Sequence, residues 1–171
     1  MRKSIIIYSS VDGHTKEICE KIANYMVDDP DIFSVDDNPS IHDYEKIIIG
    51  ASIRYGKYRK ELFHFIEANI EEINKRENAF FSVNVVARKN EKNKPDTNPY
   101  VQKFLNSTTW IPNKIDVFAG KIDYPKYKFF EKMIIRFIMF ITKGPTDISK
   151  SYEFTNWLKV DEFAAELNKK F

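Results

Sequence analysis

The chain has 171 residues, of which 43% are hydrophobic and 30% charged, a balance that suffices for one domain with a buried core and excludes a disordered chain. Its one cysteine, Cys19, excludes an internal disulfide framework and a cysteine-based zinc site. The formal net charge is only +2, but residues 85–150 hold 13 of the 27 Lys and Arg and only 6 of the 25 Asp and Glu. Such a basic stretch attracts anions if its cations share one surface, and its side chains are simply solvated if they are scattered.

Strand and helix patterns alternate along the chain. Apolar runs predict five strands, at 3–9, 32–35, 46–52, 79–84 and 115–120. Apolar residues at helical spacing predict helices at 14–27, 60–73, 100–105 and 156–169. This alternation predicts an α/β fold: a doubly wound, five-stranded parallel sheet in the order 2-1-3-4-5. We expect one domain over residues 1–171, with an insertion at 121–155.

The sequence shows no targeting or membrane-spanning pattern. A strand is predicted within the first few residues, so no signal peptide is expected. No uncharged apolar run reaches the roughly 18 residues that a spanning helix needs. These patterns predict a cytoplasmic protein.

The turn after the first strand has the composition of a phosphate site. Ser10, Gly13 and Thr15 put hydroxyls, a permissive backbone and a helix N-terminus at one point. The turn lacks the GxxxxGK pattern of nucleoside-triphosphate loops and the GxGxxG pattern of dinucleotide sites. It therefore predicts a site for a monophosphate.

Two more loops, at 52–58 and 84–88, are predicted at the same edge of the sheet. A flat heterocycle could stack on Tyr55 or Tyr58, and Gly56 permits a backbone geometry that other residues resist. Each loop alone is typical of any α/β fold. Three such loops at one edge predict a cofactor with both a phosphate and a planar ring, such as FMN.

The pattern Ser10-x-Asp12-Gly13-x-Thr15 resembles the FMN-phosphate loop of flavodoxins, which usually have threonine where Asp12 stands. An acid beside a phosphate is electrostatically unfavourable, so we expect the Asp12 carboxylate to turn back and cap backbone N–H groups. Further stretches resemble a narrower family, the menaquinone-dependent protoporphyrinogen oxidases of bacteria. These stretches are 50–56, 82–89 and Tyr124-Pro125-x-Tyr127 with the apolar helix after it.

This resemblance implies a flavodoxin-like fold that binds FMN and oxidises protoporphyrinogen IX to protoporphyrin IX in haem biosynthesis. Menaquinone or a related membrane quinone would accept the electrons. The phosphate site that it implies comprises Ser10, Val11, Asp12, Gly13, His14 and Thr15. The ring site that it implies comprises Ile53, Arg54, Tyr55, Gly56, Asn84, Val85, Val86 and Ala87. We expect neither a metal nor a nucleic-acid partner.

Residues 125–143 do not fit the alternation of strands and helices. They predict one long helix that begins at Pro125 and stops before Gly144. Its apolar stripe comprises Phe130, Ile134, Phe137, Ile138 and Ile141. Further apolar residues widen this surface, and four charged residues interrupt it: Lys128, Glu131, Lys132 and Arg136. A basic helix with excess apolar surface suits a membrane interface, here the cytoplasmic face of the inner membrane. A groove for porphyrinogen and quinone, a core-packing helix and a contact in a homo-oligomer are the alternatives.

We expect the cofactor to carry out the redox step, because the sequence shows no Ser-His-Asp set and no cluster of residues with the spacing of metal ligands. Arg54 and Arg88 flank the predicted ring site and could bind propionates or stabilise the charge of reduced flavin; ordinary surface cations are the alternative. His14 is expected to pack or to contact the phosphate. Rival functions are a flavodoxin-type electron carrier, a membrane module with a vestigial flavin site, and a general FMN quinone reductase.

Overall fold

The computed structural model describes residues 3–171. Five strands form one sheet in the order β2-β1-β3-β4-β5, and every pairing in it is parallel. These strands are β1 (Ser4–Ser9), β2 (Asp31–Ser34), β3 (Lys46–Ser52), β4 (Glu77–Val83) and β5 (Lys114–Phe118). The predicted α/β fold and strand order are confirmed.

Helices cover both faces of the sheet. The α-helices of the described residues are α1 (His14–Tyr25), α2 (Lys60–Asn74), α3 (Pro99–Ser107), α4 (Phe129–Ile141) and α5 (Trp157–Leu167). α1 and α5 pack on one face, and α2 and α3 pack on the other. The isoleucine runs of β1 and β3 are buried between these layers, as the central strands of a parallel sheet must be.

Residues 121–155 add a small substructure that the sequence patterns predicted only in part. β6 (Lys121–Asp123) and β7 (Ser151–Glu153) form an antiparallel pair, which brings the two ends of the segment side by side. Between them lie a 3₁₀ turn at Tyr124–Lys126 and helix α4. β6 and β7 were not predicted, because three-residue strands leave little periodicity to detect.

The predicted start of this helix at Pro125 is wrong. Pro125 lies in the 3₁₀ turn, and the chain is extended at Tyr127 and Lys128 before α4 begins at Phe129. Burial of Tyr127, whose hydroxyl accepts a hydrogen bond from the Asp123 N–H at 3.1 Å, holds the chain out of helical geometry there. α4 has 13 residues, which span only about 20 Å.

Within residues 3–171, no helix combines the length and the apolar character that crossing a bilayer requires.

Candidate functional site

Three loops converge at the carboxyl edge of the sheet. β1, β3 and β4 are neighbours in the sheet, so the loops that follow them meet at one crevice, beside the switch point where ligands bind in open α/β sheets. We call residues 10–15 the phosphate loop, residues 53–57 the second loop and residues 84–88 the third loop. The Ile53 N–H donates to the Val83 carbonyl at 3.0 Å, which joins the base of the second loop to that of the third.

The phosphate loop turns at Gly13, whose φ of 87° is left-handed. A Cβ built on Gly13 would meet no atom within 4 Å, so open space lies against the backbone here. The Gly13 N–H donates to Ser10 Oγ at 3.0 Å, and helix α1 then starts at His14 with no side-chain cap. The first N–H groups of α1 thus remain available to an anion.

Two hydroxyls beside this turn lack partners. Ser9 Oγ and Thr15 Oγ1 are buried and make no hydrogen bond in the described part of the chain. Ser9 ends β1, and Thr15 lies in the first turn of α1. A buried hydroxyl without a partner costs about 1–3 kcal/mol, and a ligand that accepts hydrogen bonds at this point would remove that cost.

His14 is held by side chains rather than pointing freely into the crevice. Its Nε2 lies 2.7 Å from Thr155 Oγ1, and Thr155 in turn donates to the Ala119 carbonyl at 2.8 Å. Because that donation uses the only Thr155 proton, His14 Nε2 is the donor to Thr155. His14 Nδ1 lies 3.0 Å from the Glu17 carboxylate. The ring ties the phosphate loop to the segment before α5, while the backbone of His14 begins α1 without a side-chain cap.

The expected cap by Asp12 is wrong. Its carboxylate forms an ion pair with the Arg54 guanidinium of the second loop, while Ser10 Oγ accepts the Gly13 N–H. A charge-assisted hydrogen bond to a guanidinium is stronger than one to a neutral N–H. Burial alone would lower the pKa of Arg54, but the hydrogen bond and the negative charge of Asp12 hold this pKa above its ordinary value.

The second loop is a tight hairpin turn. Arg54 and Lys57 exchange both backbone hydrogen bonds, at 2.9 and 3.1 Å, across the central residues Tyr55 and Gly56. Both central residues have positive φ, 49° and 74°, as a type I′ turn requires. Tyr55 is half exposed at the tip, so its ring is accessible to a planar ligand.

Tyr58, by contrast, is wrong as a stacking residue. Its ring is buried against Phe80 and Phe104, and its hydroxyl donates to Ser82 Oγ at 2.7 Å. Burial raises the pKa of this hydroxyl. Tyr58 is thus part of the core, and of the two tyrosines only Tyr55 lies at the edge of the sheet where a ring could stack.

The third loop is shaped by the Asn84 side chain. Asn84 Oδ1 accepts from the Ala87 N–H and from Asn98 Nδ2, both at 3.1 Å. Its amide nitrogen donates to Ser82 Oγ and Asn98 Oδ1. With all four hydrogen-bonding positions used, the Asn84 side chain holds the 3₁₀ turn Val85–Arg88 in place instead of offering itself to a ligand.

Helix α4 bridges the second and third loops. Near its N-terminus, the Glu131 carboxylate contacts the Arg54 guanidinium and accepts from the Tyr55 hydroxyl at 3.1 Å. Just past its C-terminus, the Thr142 carbonyl accepts from Arg88 Nη2 at 2.9 Å. Burial lowers the pKa of Arg88, and no carboxylate of the described residues pairs with it.

The other side of α4 is exposed and apolar. Its exposed side chains include Phe129, Phe130, Ile134, Phe137, Ile138, Phe140 and Ile141. Met139 alone of the helix is fully buried, against Ile122 and the tyrosines of the insertion. The interpretation of the stripe as core packing is therefore wrong, since every residue of it faces outward.

Cations without carboxylate partners surround this exposed face. Among residues 3–171 they are Lys128, Lys132, Arg136 and Lys143, none of which forms an ion pair. The one acid of the helix, Glu131, is turned inward to Arg54. The exposed side of α4 thus combines apolar rings with positive charge alone.

Sequence patterns missed several residues of the site. Ser9 reads as an ordinary strand residue, and nothing in the pattern marks Thr142 or Thr155. Glu131, however, is the only acid within residues 125–143, and a lone acid in a basic, apolar helix could have been taken as a sign of an inward-facing partner.

Comparisons with known proteins agree with this geometry. A family model described as a flavodoxin domain matches residues 5–149. A protoporphyrinogen IX dehydrogenase (quinone) from Leishmania major is 41% identical over 170 residues, which cover 96% of this chain and 74% of that protein. The protein of the same name from Escherichia coli (strain K12) is 37% identical over 96% of this chain and 94% of its own length.

Solved structures with the same fold are more distant in sequence. The crystal structure of oxidised flavodoxin 1 from Bacillus cereus superposes with a TM-score of 0.54 at 16% identity and covers 99% of both chains. A flavodoxin from the domain Archaea gives 0.52 at 14% identity, over 97% of this chain and 96% of its own. These likenesses establish the fold.

Proposed function

The chain belongs to the flavodoxin-domain family of protoporphyrinogen IX dehydrogenases (quinone), and from this membership we infer that its specific reaction is the FMN-dependent oxidation of protoporphyrinogen IX to protoporphyrin IX. The proposed acceptor is menaquinone or a related membrane quinone, and the proposed pathway is haem biosynthesis. Membership of this family itself makes the protein a flavodoxin-like oxidoreductase.

The observation that carries the cofactor proposal is a pair of buried hydroxyls in and beside the phosphate loop that find no hydrogen-bond partner in the described part of the chain. Thr15 Oγ1 and Ser9 Oγ would donate to an anion that the N-terminus of α1 attracts. The open space at Gly13 leaves room for a phosphate against the backbone. These residues fit the phosphate of FMN, with backbone N–H groups of residues 11–15 completing the set.

The second and third loops would hold the flavin ring. Tyr55, exposed at the tip of its turn, would stack on the ring, and the backbones of Ile53–Gly56 and Asn84–Ala87 would line its edges. When bound, FMN would supply a centre that accepts a hydride from the substrate and passes electrons onward. The protein would orient this centre, and α4, which spans both loops, would help to exclude water.

Arg88 is the proposed contact for a substrate propionate. Arg54 is already committed to two carboxylates, Asp12 and Glu131. Within the described residues, Arg88 donates to neutral oxygens, the carbonyls of Val85 and Thr142 and the Thr142 hydroxyl, and lies over the Phe154 ring. A half-buried guanidinium without a counter-ion gains most from an added carboxylate.

The exposed face of α4 is proposed to dock on the cytoplasmic face of the inner membrane, where the quinone is held. Its aromatic and branched side chains suit the apolar boundary of a bilayer, and its unpaired cations suit anionic headgroups. Glu131, which would oppose such docking, is turned away from this face and contacts Arg54. The alternative occupant of this face is a second copy of the chain.

An anaerobic steady-state assay tests the proposed reaction. FMN-loaded protein should convert protoporphyrinogen IX to fluorescent protoporphyrin IX in the presence of a menaquinone analogue. Electron relay to a protein acceptor without porphyrinogen turnover would favour a flavodoxin-type carrier. Quinone reduction that depends on NAD(P)H and ignores porphyrinogen would favour a general quinone reductase, and a protein that retains no flavin would favour a vestigial site.

A further inference from the structure

One guanidinium joins three separate parts of the site. Arg54, in the second loop, contacts Asp12 of the phosphate loop and Glu131 of α4. Its side chain is 18% exposed, so these contacts are only partly screened by solvent. The Tyr55 hydroxyl, which also donates to Glu131 at 3.1 Å, is a second and independent contact between α4 and the second loop.

The charges in this cluster do not balance. Two carboxylates share one guanidinium, which leaves an excess negative charge beside the phosphate loop. A phosphate monoester brings a further charge of about −1.5 to −2 at neutral pH. Asp12 belongs to the loop itself and cannot leave it. Glu131 belongs to a different element, and its contact with Arg54 is the one that can change without altering the loop.

We propose that Glu131 is a positioning residue that sets the affinity of the phosphate loop for FMN by competing with the phosphate for Arg54. This inference rests on the proposed FMN site. With Glu131 in contact, Arg54 is divided between two acids and the phosphate meets net negative charge. With Glu131 withdrawn, Arg54 neutralises Asp12 and the phosphate binds more tightly.

Coupling between α4 and the cofactor follows from this competition. By thermodynamic linkage, phosphate binding weakens the contact of Glu131 with Arg54 to the same extent that the contact weakens phosphate binding. Movement of the N-terminal turn of α4 away from the second loop, as in docking on another surface, would therefore strengthen FMN binding. Riboflavin, which lacks the phosphate, would not sense the charge of Glu131.

The test compares FMN with riboflavin, because their difference isolates the phosphate. Dissociation constants for both flavins are measured by flavin fluorescence on the cofactor-free protein and on the variants Glu131→Gln and Arg54→Gln. The control is Glu91→Gln, which makes the same replacement of a carboxylate by a carboxamide at an exposed residue outside the cluster. Glu131→Gln should raise the preference for FMN over riboflavin about threefold or more, the size of a partly screened charge interaction. Arg54→Gln should lower that preference, and Glu91→Gln should leave it unchanged.

Loosening of α4 would affect both flavins alike, so a general structural role would not change their ratio. An unchanged or lowered preference for FMN in Glu131→Gln overturns the inference while the FMN site stands. A native chain that binds neither flavin overturns the proposed function and this inference with it.

Discussion

At the level of single residues, the Thr15 side chain indicates a ligand most directly. Its buried hydroxyl has no hydrogen-bond partner among residues 3–171, so Thr15→Val, which keeps the shape, should leave the cofactor-free protein as stable as before or slightly more so. The same change should weaken FMN binding by about 1.5 kcal/mol or more, roughly tenfold, since it removes a hydrogen bond to a charged group. Thermal unfolding and FMN titration measure the two effects.

The control is Thr97→Val, at an exposed position of the loop before α3. It should change neither quantity. Thr15→Val with undiminished FMN affinity would remove the main support for a phosphate at this turn.

Arg88 permits a prediction that separates substrate binding from cofactor binding. Arg88→Ala should lower kcat/KM for porphyrinogen by about tenfold or more, because a charge-assisted contact is lost. FMN retention should fall less, since the hydrogen bonds of Arg88 within residues 3–171 go to Val85 and Thr142 and its guanidinium also lies over the Phe154 ring. Steady-state kinetics and the flavin content of the purified protein measure the two effects.

Thr142→Val weakens the tether and keeps the charge. It removes the hydroxyl that contacts Arg88, whereas the guanidinium and its hydrogen bond to the Thr142 carbonyl stay in place. If this variant loses as much turnover as Arg88→Ala, or if Arg88→Ala loses FMN and turnover equally, Arg88 acts as a tether for α4 rather than as a contact for the substrate.

Local rules predicted the geometry of single residues better than their partners. Gly56 has the positive φ expected of its turn, and Thr15 lies in the first turn of α1 as expected. The partner of Asp12 did not follow, because Arg54 lies more than forty positions away in the chain. Nor did the burial of Tyr58, since only the packing of α2 and α3 distinguishes it from Tyr55.

At the level of elements, β3 and β4 pack closely at Gly50. Gly50 stands opposite Phe81, and a Cβ at Gly50 would lie 2.1 Å from Phe81 Cζ. Gly50→Ala should therefore destabilise the fold by about 1–3 kcal/mol through overpacking, as measured by denaturant unfolding. Gly120→Ala is the matched control, because its nearest contact is an ordinary 3.4 Å and its cost should be small. Equal stability of the two variants would contradict the packing of β3 on β4.

α4 gives a second prediction at the level of elements. Changing Ile134, Phe137 and Ile141 together to Asn should lower binding to vesicles that contain phosphatidylglycerol by about tenfold or more, because exposed apolar area that would enter the bilayer is lost. Folding should be unaffected, since these side chains are exposed. Co-sedimentation and circular dichroism are the measurements.

The control is the double variant Val27→Asn with Ile111→Asn. Both residues are apolar, are more exposed than the three residues changed in α4, and lie outside that helix. This pair should bind vesicles as the native chain does. Undiminished vesicle binding by the triple variant would exclude membrane docking through α4, and a change from dimer to monomer in its place would favour a contact between copies.

For the whole molecule, the repeating pattern of strands and helices was predictable, whereas the internal structure of residues 121–155 was not. Five apolar strands and their covering helices obey periodicity rules, so the order β2-β1-β3-β4-β5 and the convergence of three loops followed from the sequence. Buried tyrosines, Tyr124 and Tyr127, accompany the short strands β6 and β7 and the late start of α4. Such tertiary contacts override local signals such as Pro125.

The central claim is that FMN, held by the phosphate loop and the two ring loops, takes electrons from protoporphyrinogen IX and gives them to a quinone. Anaerobic spectrophotometry of the FMN-loaded protein tests it most directly. The visible absorbance of oxidised flavin should fall when protoporphyrinogen IX is added and return when a menaquinone analogue follows. Flavin that stays oxidised with porphyrinogen, or that is reduced but not reoxidised by the quinone, would contradict the claim.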